Sequence, residues 1–443
     1  IYFTKTKGGT YMSSFLNEKV VPAIMKFVNL KAVVALKDGI IFTLPLTLIG
    51  SVFLLLAQIP YKPLADFISS KGWDAPLFQA NGATMGIMAM IACVGIAYTY
   101  AKNEGYEPLS AGVVAFSIFC LTTNSYVITE DGTKVGSVIP MDWTGGKGMV
   151  TAIIIGLIVG AVYSWFMKRD IRIKMPAGVP QGVADSFSAL IPAAILITGG
   201  TILYSVFKIF DTTFIEFIYK VLQTPLQGMT DSLGGVVVMG LIIPFLWFFG
   251  VHGATIIGGI MGPILTSNTL ENGAIVTAGK ELTLANGAHI VTQQFLDQFM
   301  TVTGSGMTIG LVLCMLFLGK SAQFKQLGKL AIVPAVFNIN EPVLFGTPIV
   351  MNPLMAVPFI AMPVISGLIL YFSIYFGIVP PFGGVLVPWT TPPIISGLLV
   401  GGVRTALLQT AILVLSFFVY LPFFKKCDNM SYEAEQAAEA SSN

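Results

Sequence analysis

Long apolar stretches alternate with short charged segments along most of the chain. Each charge-free stretch is long enough for a helix to cross the hydrocarbon layer of a membrane, which takes about 20 residues. We therefore predict an all-α polytopic membrane protein. The stretches without Asp, Glu, Lys or Arg that support this prediction are 39–61, 75–101, 108–129, 148–167, 186–207, 232–270, 298–319 and 405–424.

Glycines and prolines interrupt two apolar regions. The first reads FFGVHGATIIGGIMGPIL (248–265) and contains His252. The second reads AVFNINEPVLFGTPIVMNP (335–353) and contains Glu341, the only charged residue between Lys329 and Arg404. Glycine and proline weaken or end helices, and the backbone groups they free cannot face lipid. These segments are therefore predicted to be buried in protein or to line a wet cavity.

A single ionisable residue in each broken segment indicates a functional site. Transporters commonly build substrate sites from broken helices near the middle of the membrane, and ionisable residues inside a membrane are usually functional. We predict that His252 and Glu341 are catalytic or substrate-binding residues. The alternative is structural, because a membrane histidine can be a hydrogen-bonding residue and a glutamate can pair across helices.

The residues around these two groups favour a carbohydrate. Asn338 and Asn340 flank Glu341, and amides with a carboxylate can donate to and accept from sugar hydroxyls. Trp247 precedes His252, and Trp389 lies in a proline-rich apolar stretch. Indole rings suit the apolar faces of sugars, although tryptophan also anchors helices at the membrane interface. The sequence leaves both roles open for these tryptophans.

Composition supports the membrane class. The chain is 55% hydrophobic and only 10% charged, with a mean hydropathy of +0.81. A soluble protein has about 25% charged residues. The net charge of +2 and the absence of a basic patch with interleaved aromatic residues exclude a nucleic-acid partner. The four cysteines show no CxxC spacing, so neither a metal site nor a disulfide framework is indicated, and no cofactor is expected.

Lysine and arginine positions predict the orientation of the chain. Basic residues gather near the amino end, in KRDIRIK (168–174), in KSAQFKQLGK (320–329) and in FFKKCD (423–428). Positively charged loops stay in the cytoplasm, so both termini are predicted to be cytoplasmic, with the loops 60–74 and 130–147 outside.

The charge and turn patterns predict further elements and a domain plan. Residues 208–231 alternate apolar and charged positions near helical spacing, which predicts an amphipathic linker helix. Residues 266–297 carry Ile275, Val276, Leu282 and Leu284 among Asn-Gly pairs, which predicts a small β-hairpin. We expect a scaffold and dimerisation half (12–207), the linker (208–231), a transport half with the broken segments (232–426) and a cytoplasmic tail (427–443).

Three motifs resemble a known family. LKDGIIFTLPLTLIGS (36–51), GVHGA (250–254) and NINEPVLFGTPIVMNP (338–353) are similar to signatures of the membrane enzyme IIC subunits of the bacterial sugar phosphotransferase system. The resemblance runs from about Met12 to Lys426 and is greatest for the lactose, cellobiose and N,N'-diacetylchitobiose branch, within it for the diacetylchitobiose transporters.

The resemblance implies a homodimer in the bacterial inner membrane, with about ten transmembrane helices and two re-entrant hairpins. It implies that a β-linked disaccharide moves inward and is phosphorylated by a separate enzyme IIB, which is loaded upstream by enzyme IIA. His252 and Glu341 match the family's catalytic pair. The positions that match its sugar pocket are Trp247, Gly250, His252, Asn340, Glu341 and Trp389.

A proton-coupled sugar symporter is the alternative, because one histidine and one glutamate in the membrane could relay protons. Symport predicts uptake that collapses with an uncoupler and needs no phosphoryl donor. A third possibility, a channel or structural membrane protein, predicts no saturable sugar binding.

Overall fold

The computed structural model describes Lys26 and residues 29–57, 62–129, 131–176, 178–248, 252–347, 349 and 352–442. Within these ranges the chain is mainly helical, as predicted. The helices of the amino-terminal part are α1 (Lys31–Ile40), α2 (Leu44–Ala57), α3 (Lys62–Ser70), α4 (Asp74–Gly82), α5 (Met88–Asn103), α6 (Pro108–Leu121), α7 (Met149–Lys168) and α8 (Gln181–Ile209).

The remaining helices carry the interrupted segments. They are α9 (Phe214–Ile218), α10 (Thr224–Thr230), α11 (Leu233–Phe248), α12 (Gly253–Thr277), α13 (Gln293–Phe295), α14 (Ile309–Leu318), α15 (Ala322–Val336), α16 (Glu341–Gly346), α17 (Pro353–Tyr375) and α18 (Ile395–Ser442). A π-helical turn, Tyr219–Gln223, joins α9 to α10, and another, Leu296–Met300, continues α13. Helix α18 is kinked at Gly402.

Five described helical segments are long and apolar enough to cross a membrane, or six if the bent pair formed by Phe214–Thr230 and Leu233–Phe248 makes one span. The five are Asp74–Asn103, Gly146–Lys168, Gln181–Ile209, Leu354–Tyr375 and Ile395–Ala440. The prediction of an all-α polytopic membrane protein is confirmed. The count of about ten transmembrane helices stays a prediction.

Contacts divide the chain into two compact units. The first contains the described part of Ile1–Phe42 together with Ile91–Thr122 and Ala152–Asp211. Its helices approach closely at glycines: a Cβ on Gly160 would lie 2.6 Å from Tyr100, and one on Gly156 would lie 2.9 Å from the Cys93 carbonyl oxygen. Its core includes Tyr163, which is fully buried.

The second unit contains Thr43–Met90, Thr123–Thr151 and Thr212–Asn443 in its described part, and so includes both interrupted segments. Helices α11 and α17 pack tightly within it. A Cβ on Gly240 would lie 3.0 Å from Val364, and one on Gly367 would lie 2.6 Å from Val236. Since residue numbers rise on one helix as they fall on the other, the two helices are antiparallel.

The segment predicted as a linker helix, 208–231, contains the end of α8, then α9, a π-helical turn and α10. After α8 ends, Thr213 and Glu216 form a capping box that starts α9. Ile215 and Ile218 are buried, whereas Phe217 and Val221 are exposed. An exposed apolar face is what a helix lying on a membrane surface requires.

The predicted location of the β-hairpin is wrong. Ile275 and Val276 belong to the last turn of α12, which ends at Thr277. Gly279 follows with a φ of +71°, and Lys280 N donates to Ile275 O, which closes the helix end. The described sheet instead pairs β1 (Tyr126–Ile128) with β2 (Lys134–Gly136) in antiparallel register. Its turn contains Asp131 and Gly132, an Asp-Gly hairpin signal that the sequence analysis missed.

Candidate functional site

The first interrupted segment brings Trp247 and His252 together. Trp247 lies in the last turn of α11 and is buried, and His252 directly precedes α12 and is exposed. Their ring centroids are 4.5 Å apart, with the rings tilted by 49°. Gly253 makes this turn possible, because a Cβ there would lie 2.0 Å from the Ile243 carbonyl oxygen of α11. Gly250 lies outside the described residues.

The second interrupted segment begins with a tightly closed helix end. Asn338 has a φ of +63°, its backbone N–H donates to Ala335 O, and Ile339 N–H donates to Pro334 O. This pattern is a Schellman motif, in which a left-handed residue ends the helix. It connects α15 to Glu341 through backbone of defined conformation.

The Asn338 side chain joins three parts of the second unit. Its Oδ1 accepts a hydrogen bond from Thr303 N at 2.6 Å, and its Nδ2 donates to the carbonyl oxygens of Trp389 and Thr391. Both amide hydrogens and one lone pair are therefore committed to the backbone. The expectation that Asn338 holds sugar hydroxyls is not favoured, because the fold already uses its amide.

Asn340 packs against an unusual turn. Its Nδ2 donates to Ser305 O at 2.7 Å, and the residue is only 3% exposed. Gly304 has a φ of +88°, and a Cβ on it would lie 2.2 Å from the Asn340 Cγ. Only glycine fits there. The sequence analysis did not single out Gly304, although the two glycines Gly304 and Gly306 in TVTGSGMT (301–308) indicate a turn.

Glu341 is the first residue of the short helix α16, and it is half-buried. Pro342 follows, which suits the first turn of a helix because its fixed φ is helical and the missing N–H has no intrahelical partner there. The interruption predicted between α15 and α17 is therefore confirmed. Asn340 and Glu341 reach their positions from a turn that the surrounding backbone fixes.

Trp389 lies in a loop that buried glutamines hold. Gln294 Oε1 accepts from Val387 N at 3.0 Å, and Gln298 Nε2 donates to Val387 O at 3.2 Å. Gln298 and Gln294 are both buried. The Trp389 side chain itself is 56% exposed. The loop therefore fixes the tryptophan backbone beside Asn338 and leaves the indole on the surface.

The packing of α11 and α17 relates the two segments. Because these helices are antiparallel, the end of α11 that carries Trp247 is the end at which α17 begins. Helix α17 begins shortly after α16, which carries Glu341. The structure thus brings both interrupted segments to the same end of one helix pair.

A second polar cluster surrounds His289, which the sequence analysis did not single out. His289 Nδ1 lies 3.1 Å from Asp231 Oδ2, and its Nε2 lies 3.3 Å from Glu271 Oε2. Glu271 also accepts from Gln227 Nε2 at 2.7 Å. Burial alone would lower the pKa of His289, but the hydrogen bonds and charges of Asp231 and Glu271 outweigh it and raise the pKa to about 9.

Glu271 also lines a cavity of about 720 Å³, together with Asn81, Lys147 and Asn286. His252 directly precedes α12, and Glu271 lies near the other end of this helix. At about 1.5 Å of helix rise per residue, the two residues are separated by roughly 28 Å along the helix. The cluster around His289 is therefore distinct from the site at Trp247 and His252.

A mainly helical membrane fold with two interrupted segments at one end of a helix pair defines a class, the multi-pass membrane transport proteins. Comparison with known proteins specifies the family. Residues 37–363 match the model of the family described as "Phosphotransferase system, EIIC". The chain belongs to this family of membrane EIIC components.

Individual relatives cover nearly the whole chain. The lichenan permease IIC component of Bacillus subtilis (strain 168) is 38% identical over 97% of this chain and 96% of its own. The cellobiose-specific EIIC component of Geobacillus stearothermophilus is 37% identical over 95% of each. The crystal structure of the transporter ChbC, the IIC component from the N,N'-diacetylchitobiose-specific phosphotransferase system, matches with a TM-score of 0.89 and 36% identity, over 95% of this chain and 99% of that one.

Proposed function

We propose that this chain moves a β-linked disaccharide (diacetylchitobiose, cellobiose or lactose) into a bacterial cell, and that the sugar is phosphorylated as it arrives. The match to the EIIC family over residues 37–363 carries this proposal. The names of the relatives, which refer to lichenan, cellobiose and diacetylchitobiose, support a β-linked sugar. The family gives no support to proton symport.

We propose that His252 and Glu341 act on the accepting hydroxyl of the sugar. The family resemblance implies that enzyme IIB carries the phosphoryl group on a cysteine. The sugar hydroxyl oxygen forms a bond to phosphorus, the bond from phosphorus to this cysteine sulfur breaks, and the thiolate leaves with the electron pair. The hydroxyl is held in line with the breaking bond from phosphorus to sulfur, and its proton passes to His252 or to Glu341, whichever lies within hydrogen-bonding reach. The residue that does not take the proton orients the hydroxyl.

The remaining site residues would line the sugar. Trp247 would offer its ring beside His252, because the two ring centroids lie 4.5 Å apart. Trp389 has an exposed indole that can cover an apolar sugar face. Asn340 would use the amide atoms that are not engaged with Ser305, and Gly250 would allow close approach of the sugar to the backbone.

The proposed partners follow from the same scheme. A phosphorylated enzyme IIB on a separate chain donates the phosphoryl group, and enzyme IIA supplies IIB upstream. The chain lies in the bacterial inner membrane as a homodimer with both termini in the cytoplasm. It acts as the membrane component of a sugar phosphotransferase and is surrounded by the lipid bilayer.

Replacing Glu341 with Gln tests the site. We expect sugar affinity to fall at least tenfold, or about 1.4 kcal/mol, because the variant loses a charged hydrogen-bond acceptor. Equilibrium binding of diacetylchitobiose, cellobiose and lactose to the purified protein measures this change and identifies the sugar. Glu281→Gln, an exposed carboxylate in the loop after α12, is the matched control. Unchanged affinity and unchanged phosphorylation in Glu341→Gln would remove Glu341 from the site.

Uptake into membrane vesicles tests the coupling. With phosphorylated IIB present, the sugar should accumulate as its phosphate, and an uncoupler should have no effect. Free sugar inside under these conditions, or uptake that an uncoupler abolishes, would support symport instead.

A further inference from the structure

Helix α18 continues well past its apolar part, and we define the tail helix as its residues 425–442. Two carboxylates of the tail helix reach the start of α15. Asp428 Oδ2 accepts from Lys320 N at 2.8 Å, and Asp428 Oδ1 accepts from Ser321 N at 3.0 Å and from Ser321 Oγ at 2.9 Å. Glu435 accepts from Ala322 N at 2.9 Å and from Gln323 N at 3.1 Å.

These contacts complete the amino-terminal cap of α15. The first N–H groups of a helix have no intrahelical partner. Here Glu435 takes two of them, Ser321 Oγ takes that of Phe324 at 3.3 Å, and Asp428 holds Ser321 in place. Carboxylates at this position are also favoured by the helix dipole and make strong hydrogen bonds. Asp428 is only 2% exposed, so its acceptors are not shared with water.

Helix α15 connects the capped end to the short helix α16, which carries Glu341. The Phe324 and Phe424 rings pack edge to face with centroids 5.6 Å apart, which holds α15 against α18. Leu327 packs against α16, because a Cβ on Gly346 would lie 2.5 Å from its side chain. The other end of α15 is closed by the Schellman motif at Asn338. Few free backbone torsions remain between the tail helix and Glu341.

We propose that Asp428 and Glu435 are positioning residues for Glu341, and that the tail helix holds the Glu341 segment in its sugar-binding geometry. This inference rests on the proposed role of Glu341 in sugar binding. The carboxylates touch no sugar. They act by fixing the start of α15, whose movement would carry α16 with it.

Two alanine variants on the tail helix form the test. Glu435→Ala removes both acceptors at the start of α15. Glu433→Ala removes an exposed carboxylate two residues away on the same helix and is the matched control. Asp428→Asn is a second probe, and because Glu435 is only half-buried, Glu435→Ala carries the test if the Asp428 variant fails to insert.

A spin label on the Glu341 segment reports its position directly. Phe345 of α16 is 74% exposed, so Phe345→Cys offers a labelling site, in a chain whose native cysteines are replaced. We expect the label to become more mobile in Glu435→Ala and Asp428→Asn but not in Glu433→Ala. We also expect sugar Kd to rise threefold to tenfold in the same two variants, with thermal unfolding in detergent little changed.

Label mobility and sugar Kd together distinguish failure of the proposed function from failure of the positioning role. If the unaltered protein binds no β-linked disaccharide, the proposed function is wrong, and label mobility still tests the role of the tail helix. If Glu435→Ala and Glu433→Ala give the same label mobility and the same sugar Kd, the positioning role is refuted. An equal loss of thermal stability and affinity without a change in mobility assigns the carboxylates to general stability alone and also overturns the proposal.

Discussion

At the residue scale, the sequence identifies some residues of the candidate site, whereas the roles of others can be recognised only from the fold. Glu341 and His252 stand out because each is a single ionisable group in an apolar, broken stretch. The structural use of Asn338 was not predictable, because its amide pairs with Thr303, Trp389 and Thr391, which are distant in sequence. Local pattern carries no information on such contacts.

Gly304 provides a sharp test of the turn beneath Asn340. Gly304→Ala introduces a Cβ that would lie 2.2 Å from Asn340 at a φ of +88°. Gly279→Ala is the matched control, because Gly279 also has a positive φ but open space around it. We expect the control to cost about 1 kcal/mol from backbone strain alone, and Gly304→Ala to cost clearly more.

Thermal unfolding in detergent and sugar binding measure this pair. The melting temperature should fall further in Gly304→Ala, and only that variant should bind sugar more weakly. Equal effects of the two substitutions would mean that the contact with Asn340 is unimportant.

At the element scale, the interruptions were predictable, and the strands were not. Helices begin at Gly253 and at Glu341, directly before Pro342, where the sequence predicted breaks. Pro263, by contrast, lies inside α12, which continues through it. Ile275 and Val276 have β-branched side chains typical of strands, yet they end a long helix, because tertiary packing overrides such weak local preferences.

The His289 cluster predicts a pH dependence of stability. The pKa of His289 is raised to about 9, against an ordinary value of 6.5. The bound proton therefore stabilises the fold fully below pH 6.5, and this contribution is lost as pH rises through 9. We expect the melting temperature to fall by several degrees across this range.

His289→Gln isolates the effect, since the variant keeps a hydrogen-bonding side chain but cannot be protonated. Its melting temperature should depend less on pH between 6.5 and 9 than that of the unaltered protein. Parallel curves for the two proteins would show that other groups cause the pH dependence.

At the scale of the whole molecule, composition alone establishes the membrane class, because so many apolar and so few charged residues could not be buried in a soluble fold. The family follows from three motifs, and the comparisons confirm it. The division into scaffold and transport halves stays a prediction, as does the orientation. The positions of basic residues predict on which side each loop lies, but helix packing within the protein does not depend on that choice.

Cysteine labelling tests the predicted orientation. Val135 of β2 is 41% exposed, and Ala434 of the tail helix is exposed. In a background without native cysteines, we expect Val135→Cys to react with an impermeant maleimide in intact cells. Ala434→Cys should react only after the membrane is opened. Reaction of both residues from the same side would contradict the assignment of the 130–147 loop to the outside and of the tail to the cytoplasm.

The short hairpin of β1 and β2 also has a practical consequence. Its turn at Asp131 and Gly132 is exposed, and its register is fixed by three residue pairs, with Lys134 lying over the Tyr126 ring. Exposed turns accept insertions when the flanking backbone is paired. An epitope grafted there would give a rigid handle for an antibody fragment, which would enlarge this 47.4 kDa chain enough to align its images by electron cryomicroscopy.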